Sequence, residues 1–470
     1  MKSSILVVFS LCIFTLGRSQ ETVLLANKED FTKKTEQLVK TYLDLDIFSG
    51  VVVIAQKGIP IYSQAFGMAN KETKIKNTLE TKFAIGSMNK SFTRIVILQL
   101  VEARKLKLSD KLVNFLDGFK QNEIEEVTID HLLNHRSGFG DYHMPIYWDL
   151  PYDQKNIQGL LPLIKELPLL FKPGSEREYS NAGYILLGAI IEKVTGKTFA
   201  QNVVHNIKEP LNLKSLVVYD VKNIPNKAIG YTKTFSGYEA NEFMITEPRS
   251  DGGFYATAAD ILSFYRAFFY GNKLISQKTK NEDEFFTHIE PLYLQNGSGI
   301  PLAGGFNGSN TVHLEMLADD ISIVVFANMD EPVAEKIAWG IFNIIKGKTP
   351  DKAMLPAKLN VYIQYKKQGL QFIQDNFENL TTNWFEGDPK DLLLNNLGYD
   401  LMNEGKLKEA QEIFKLNTEL FPNIGNCWDS YGELLLLKGD KVGALQAYKK
   451  ALVINPNIPS AQKMVKELEK

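Results

Sequence analysis

Two pairs of β-rich runs stand at opposite ends of the first 345 residues, and this limits the fold more than any other feature. Residues 50–55 and 59–66 are joined by Gln56-Lys57-Gly58, a hairpin signal. Residues 310–317 and 321–328 repeat the pattern around Ala318-Asp319-Asp320. A helical pattern over 30–45 precedes the first pair, with Phe31, Leu38, Tyr42 and Leu45 at turn spacing and Asp30 as its N-cap. An amphipathic pattern over 333–345 follows the second pair. Helix–strand–strand at one end and strand–strand–helix at the other predict one antiparallel sheet closed by both ends of the domain. The stretch between about 85 and 290 is mostly helical or irregular and is expected as an inserted helical subdomain. The fold class is therefore α+β, an antiparallel sheet flanked by helices, followed by an all-α region.

That second region begins after 346–358, where Gly347, Pro350 and Pro356 among lysines read as a linker. Leu394, Leu397, Gly398, Leu401, Ala410, Phe414 and Pro422 recur 34 residues later as Trp428, Tyr431, Gly432, Leu435, Ala444, Tyr448 and Pro456. The period and the placing of large, small and terminating residues resemble the tetratricopeptide repeat, with units at 391–424 and 425–458 and a capping helix beyond. Two units are fewer than usually stand alone, so they are expected to pack on helices from 359–385 or on the first domain. The helical domain then spans 359–470 and the first domain 20–345.

Residues 1–19 read as a signal peptide. Lys2 supplies the positive start, 5–16 an apolar core too short to span a bilayer, and Gly17 and Ser19 the small residues before a cleavage point. Its removal leaves Cys427 as the one cysteine, so no internal disulfide is expected, and a periplasmic or secreted product fits. A net charge of -2 argues against an electrostatic nucleic-acid binder.

Three short pieces carry chemistry. In Gly86-Ser87-Met88-Asn89-Lys90 a helix starting near Ser87 would set Lys90 one turn on, within reach of the serine oxygen. The apolar run at 95–101 behind it would bury and fix that helix, as covalent catalysis requires. Ser460-Ala461-Gln462-Lys463 repeats the spacing but falls in the capping helix. Tyr179-Ser180-Asn181 opens a second helical run; a phenol beside a lysine ammonium can take a serine proton, and Asn181 offers both donor and acceptor. Tyr270-Gly271-Asn272 has the same spacing but closes an aromatic helical run. In Leu302-Ala303-Gly304-Gly305-Phe306-Asn307-Gly308 small residues leave room for a substrate backbone, and the N–H groups of Gly305 and Ser87 could form an oxyanion hole.

In this order the three pieces resemble the serine β-lactamase-related hydrolases, in the branch of class C β-lactamases, DD-peptidases and esterases. The resemblance runs over roughly 30–345 and takes in 129–139 and 251–260. It implies Ser87 as nucleophile, Lys90 as its activating partner, Tyr179 as general base, and Asn181, Gly304 and Gly305 as substrate-binding or oxyanion residues. One departure stands out. The family usually has Lys or His where Leu302 stands, a cation that often engages a substrate carboxylate. Its loss implies an esterase or D-peptidase-like character more than a true β-lactamase.

His131 and His135 lie on one helical face, but the Glu of a His-Glu-x-x-His zinc motif is missing, so packing and loop anchoring are expected. No Gly-x-Ser-x-Gly elbow is present. The sequence thus predicts an exported serine hydrolase acting on an ester, amide or lactam carbonyl through an acyl-enzyme, needing no metal or cofactor. Its partners are a small-molecule or peptide substrate and a protein or peptide ligand of the repeats. The other reading is a repeat-mediated binding module for peptides or envelope proteins with a degenerate hydrolase site.

Overall fold

The computed structural model describes residues 28–235, 237–242, 247–330, 332–382 and 389–470; the expected leader at 1–19 lies outside them. Two compact units are present, one of residues up to Lys233 with Glu239–Asp351, the other of Thr234–Tyr238 with Lys352–Lys470.

The first unit opens with α1 (Lys28–Asp44), which buries Phe31, Thr35, Leu38, Val39 and Tyr42 on one face. Asp30 sits within its first turn and is not the cap. Strands β1 (Gly50–Gln56) and β2 (Ile59–Phe66) follow as the expected hairpin, turning at Lys57 and Gly58, both at positive φ. Helices α2 (Asn89–Glu102), α3 (Asn181–Thr195) and α4 (Ala258–Phe269) belong to the inserted region. Strands β3 (Ile300–Phe306), β4 (Ser309–Met316) and β5 (Ile321–Ala327) and helix α5 (Val333–Ile345) complete the unit. The sheet order is β2-β1-β5-β4-β3, and every neighbouring pair is antiparallel.

Every residue of β1, β4 and β5 is buried; β1 and β5 accordingly read as near-continuous apolar runs, whereas β4 buries Asn310, Thr311, His313 and Glu315 among its apolar residues. Helix α5 packs on β4 and β5 and against α1, while α4 packs on β1 and β5. Close approach is enforced at two glycines: a Cβ on Gly50 would stand 1.8 Å from the Phe326 carbonyl oxygen, and one on Gly340 2.6 Å from Leu38. The glycine-rich segment forms the edge strand β3, so alternate N–H groups along it have no ladder partner.

In the second unit, helices Lys390–Asn403 and Leu407–Leu420 pair, and Gly425–Leu437 and Lys441–Ile454 repeat the arrangement. Gly398 lies against the Phe414 ring and Gly432 against Tyr448, so the glycines admit the aromatics of the second helices. Val361, Ile373 and Phe377, from helices Ala357–Gln368 and Leu370–Leu380, share a core with Leu393, Leu394, Leu397 and Leu401. Cys427 is buried, and Ser460 in the last helix donates to Asp429 at 2.7 Å. No described helix is long and apolar enough to cross a membrane.

Candidate active site

Ser87 lies in a 3-10 turn, Gly86–Met88, that runs directly into α2. The helix therefore begins two residues later than the sequence suggests. Gly86 adopts φ +48°, a left-handed conformation that favours glycine, and this lets the chain turn sharply before the serine. The approach is anchored by Phe83–Ala84, which pairs with Tyr255–Ala256, and by the Ile85 N–H, which donates to the Phe254 carbonyl at 2.9 Å.

Lys90, one turn on, is 7% exposed. Its Nζ donates to Ser87 Oγ at 3.1 Å, to Asn181 Oδ1 at 2.8 Å and to the Asp251 carbonyl at 3.0 Å. Burial lowers its pKa to about 8, with the Asp251 charge opposing the shift. The Asp251 carbonyl belongs to a set. Asn89 Nδ2 donates to the Arg249 carbonyl at 2.9 Å and Thr93 Oγ1 to the Ser250 carbonyl at 2.6 Å. Three consecutive carbonyls, 249 to 251, are thus captured by three side chains from the first turns of α2. The Asp251 carboxylate faces away from this contact into a buried pair with Arg249 Nε at 3.1 Å, and it also accepts from the Tyr142 hydroxyl.

Tyr179 reaches the serine from the other side, its hydroxyl 2.7 Å from Ser87 Oγ. The Lys90 Nζ stands 4.8 Å from the centre of its ring. Ser180 caps α3 by accepting from the Gly183 N–H at 2.9 Å, and this fixes Tyr179 just ahead of the helix and Asn181 at its first position. His135 stacks on the Tyr179 ring at 4.7 Å between centroids and accepts the Ser180 N–H at 3.1 Å. Burial, reinforced by the Lys90 and Arg94 charges, lowers the His135 pKa to about 3, so this ring is a neutral plate behind the phenol. His131 instead accepts the Thr128 N–H at 3.4 Å within the capping box of helix Ile129–Leu133. The two histidines anchor different loops.

The third piece closes the site. A Cβ on Gly304 would lie 2.1 Å from the Ile85 carbonyl oxygen and 2.6 Å from the Ser87 nitrogen. Main chain therefore packs on main chain, with Ser87 and Gly305 both lining the cavity. Leu302 is partly buried and packs against the apolar core, opposite His313 on β4. The cavity, about 520 Å³, is also lined by Asp141, His143, Tyr147, Trp148 and Phe306. Sequence reasoning singled out neither Asp141 nor the α2 residues Asn89 and Thr93. The signal for the latter two was present, as polar residues one turn apart just before the apolar run 95–98.

Serine, lysine and phenol converging beside the edge of an antiparallel sheet define a class of hydrolase, and comparison with known proteins agrees. The Beta-lactamase family model matches residues 35–341, and the chain belongs to that family. It is a serine hydrolase of the penicillin-binding-protein-like kind. A penicillin-binding protein of Bacillus subtilis (strain 168) is 27% identical over 387 residues, covering 74% of this chain and 84% of that protein. The teichoic acid D-alanine hydrolase of Staphylococcus aureus is 26% identical over 341 residues, covering 66% and 84%. A penicillin binding protein from Bacillus halodurans superposes with a TM-score of 0.55 at 28% identity, covering 66% of this chain and 98% of that structure.

Proposed function

We propose that the protein is an exported hydrolase that cleaves an ester or amide through an acyl-enzyme on Ser87. The observation that carries this is the position of Ser87 Oγ, 3.1 Å from Lys90 Nζ and 2.7 Å from the Tyr179 oxygen. Lys90 and Tyr179 act as one base. Neutral amine with phenol, and ammonium with phenolate, differ only in where a single proton sits, and either form can accept the serine proton. Ser87 Oγ then bonds to the substrate carbonyl carbon while the N–H groups of Ser87 and Gly305 hold the oxyanion. The proton passes to the departing alcohol or amine as its bond to carbon breaks. A water molecule then gives a proton to the same pair as its oxygen bonds to the acyl carbon; the bond from Ser87 Oγ to that carbon breaks, the pair returns the proton to Oγ, and the acid leaves. Asn181 positions Lys90 throughout, through its Oδ1.

Leu302 supports ester or amide substrates over carboxylate-bearing lactams, because an apolar side chain cannot pair with an anion. The relative named teichoic acid D-alanine hydrolase supports small aminoacyl substrates. Export rests on the leader pattern at 1–19. The helical unit is assigned to two tetratricopeptide repeats, 391–424 and 425–458, on the period and on the matched Gly398–Phe414 and Gly432–Tyr448 contacts; it serves as the docking part for a protein or peptide partner.

Labelling with a fluorophosphonate tests the reaction. Wild type is expected to be labelled at Ser87 and Ser87→Ala to remain unlabelled. Equal labelling of the two, or none of the wild type, rejects the reading.

A further inference from the structure

The cavity beside Ser87 carries a carboxylate that the reaction steps above do not use. Asp141 lines it with Asn181, and its side chain is 51% exposed. One oxygen, Oδ1, accepts from Asn181 Nδ2 at 3.3 Å, from His143 Nδ1 at 2.7 Å and from the His143 N–H at 3.3 Å. Among the described residues nothing donates to Oδ2. Burial pushes the carboxyl pKa up, but hydrogen bonds and charge from His143 and the bond from Asn181 hold it below the usual carboxylate range. The group is thus an oriented anion with one oxygen left open.

His143 offsets it in part, through Oδ1 alone, and the other cations of the cavity are engaged elsewhere. Leu302 supplies none. Arg249 lines the cavity, but its guanidinium is paired with Asp251 at 3.1 Å and donates to the Lys155 carbonyl at 2.9 Å. Lys90 is spent on its three acceptors. The open charged atom presented to a substrate is therefore a carboxylate oxygen, the reverse of a site built around a lysine for a substrate carboxylate. Trp148, about half exposed, adds an aromatic face to the same wall, a surface that favours cations, with Lys155 at 6.0 Å from its ring centre. Asp141 is also near the chemistry, because the Asn181 amide joins it on one side and Lys90 on the other.

We infer that Asp141 receives the ammonium group of the acyl part of the substrate, so the site selects esters or amides of free amino acids over uncharged or carboxylate-bearing acyl groups. This rests on the hydrolase reading above and names its substrate class. The test compares kcat/KM of the full-length protein for four esters: alanine methyl ester and N-acetylalanine methyl ester (each in both enantiomers), methyl propionate and monomethyl succinate. One enantiomer of the free amine is expected to exceed its N-acetyl form by about ten- to hundredfold, the worth of a hydrogen bond to a charged group. Asp141→Asn should collapse that ratio, and Asp141→Glu should restore part of it. In wild type, added salt should lower kcat/KM for the free amine but not for methyl propionate, and this readout does not depend on the variant folding. Turnover without preference for the free amine, or a ratio and salt response that Asp141→Asn does not change, overturns the inference and leaves the hydrolase reading standing. If no ester is turned over and no fluorophosphonate label appears on Ser87, the hydrolase reading fails and the inference falls with it.

Discussion

Gly86 and Gly304 occupy each other's side-chain space: a Cβ on Gly86 would stand 2.6 Å from the Gly305 nitrogen, and one on Gly304 2.6 Å from the Ser87 nitrogen. The nucleophile turn and the sheet edge are therefore held at backbone distance. A methyl group on Gly304 must push them apart, since both of its nearest neighbours are main-chain atoms. Gly304→Ala is predicted to lower kcat by about 10²- to 10³-fold, the loss typical of one oxyanion donor, while the protein still folds. Steady-state kinetics with circular dichroism checks this, and near-wild-type kcat would mean that the two backbones do not form the oxyanion site.

The lowered pKa of Lys90, about 8, sets the pH dependence. The Lys90–Tyr179 pair can take the serine proton only after losing one of its own. The rate of acylation by a fluorophosphonate should therefore rise with pH through about 8 and level off above it. A profile flat between pH 6 and 9 would exclude the pair as the base (about the range that brackets the transition).

Asp251 should move that limb. Its charge favours the ammonium form of Lys90, while Arg249 opposes it. Asp251→Asn removes the anion and leaves the cation, so both changes lower the Lys90 pKa further and shift the limb toward lower pH. Breaking a buried pair is also expected to cost about 3–5 kcal/mol of stability, read by denaturant unfolding. A destabilised variant with an unmoved limb would show that the pair supports the fold without tuning the lysine.

Lys90 also leaves a signature in stability. Below about pH 8 the folded and unfolded chains both carry its proton, and the penalty for burying the charge is largest. Between about 8 and the ordinary value of 10.5 the unfolded chain binds a proton that the folded chain has shed, so stability rises with pH. The Tm of wild type minus that of Lys90→Met should increase across that interval. A constant difference would argue that Lys90 is not buried as a cation at neutral pH.

In the helical unit, a Cβ at Gly398 would lie 2.6 Å from the buried Phe414 ring. Gly398→Val should destabilise that unit by about 1–3 kcal/mol, the usual cost of overpacking. Kinetics on a small ester should hardly change, because no residue of the candidate site lies in this unit. A matching loss of turnover would show that the hydrolase depends on its helical neighbour.

The sheet was legible because β1 and β5 are buried throughout and so appear as near-unbroken apolar runs, and because Val312, Leu314 and Met316 alternate along β4. Ser87, Lys90, Tyr179 and Asn181 were legible because chemistry ties their types to short spacings. The start of α2 was misplaced by two residues, since Gly86 at φ +48° forces a tight turn that no propensity records. Asp30 is of a type that caps helices, but the helix already includes Lys28, so Asp30 falls inside its first turn. Asp141 was not singled out, as a lone carboxylate in a loop has no periodicity to mark it. The carbonyls of 249–251 lay beyond sequence reasoning altogether, because main-chain oxygens carry no residue identity.

Those three carbonyls have a consequence for how such a site can diversify. Asn89, Lys90 and Thr93 grip atoms that every amino acid possesses, so their backbone hold does not depend on which side chains stand at 249–251, whereas the charges of Arg249 and Asp251 still tune Lys90. On the proposed reading, choice of substrate falls to segment 141–148, whose Asp141, His143 and Trp148 line the cavity but stand outside the Ser87–Lys90–Tyr179 set. Chemistry and choice are thus housed on different segments, joined where the Asn181 amide bridges Lys90 and Asp141.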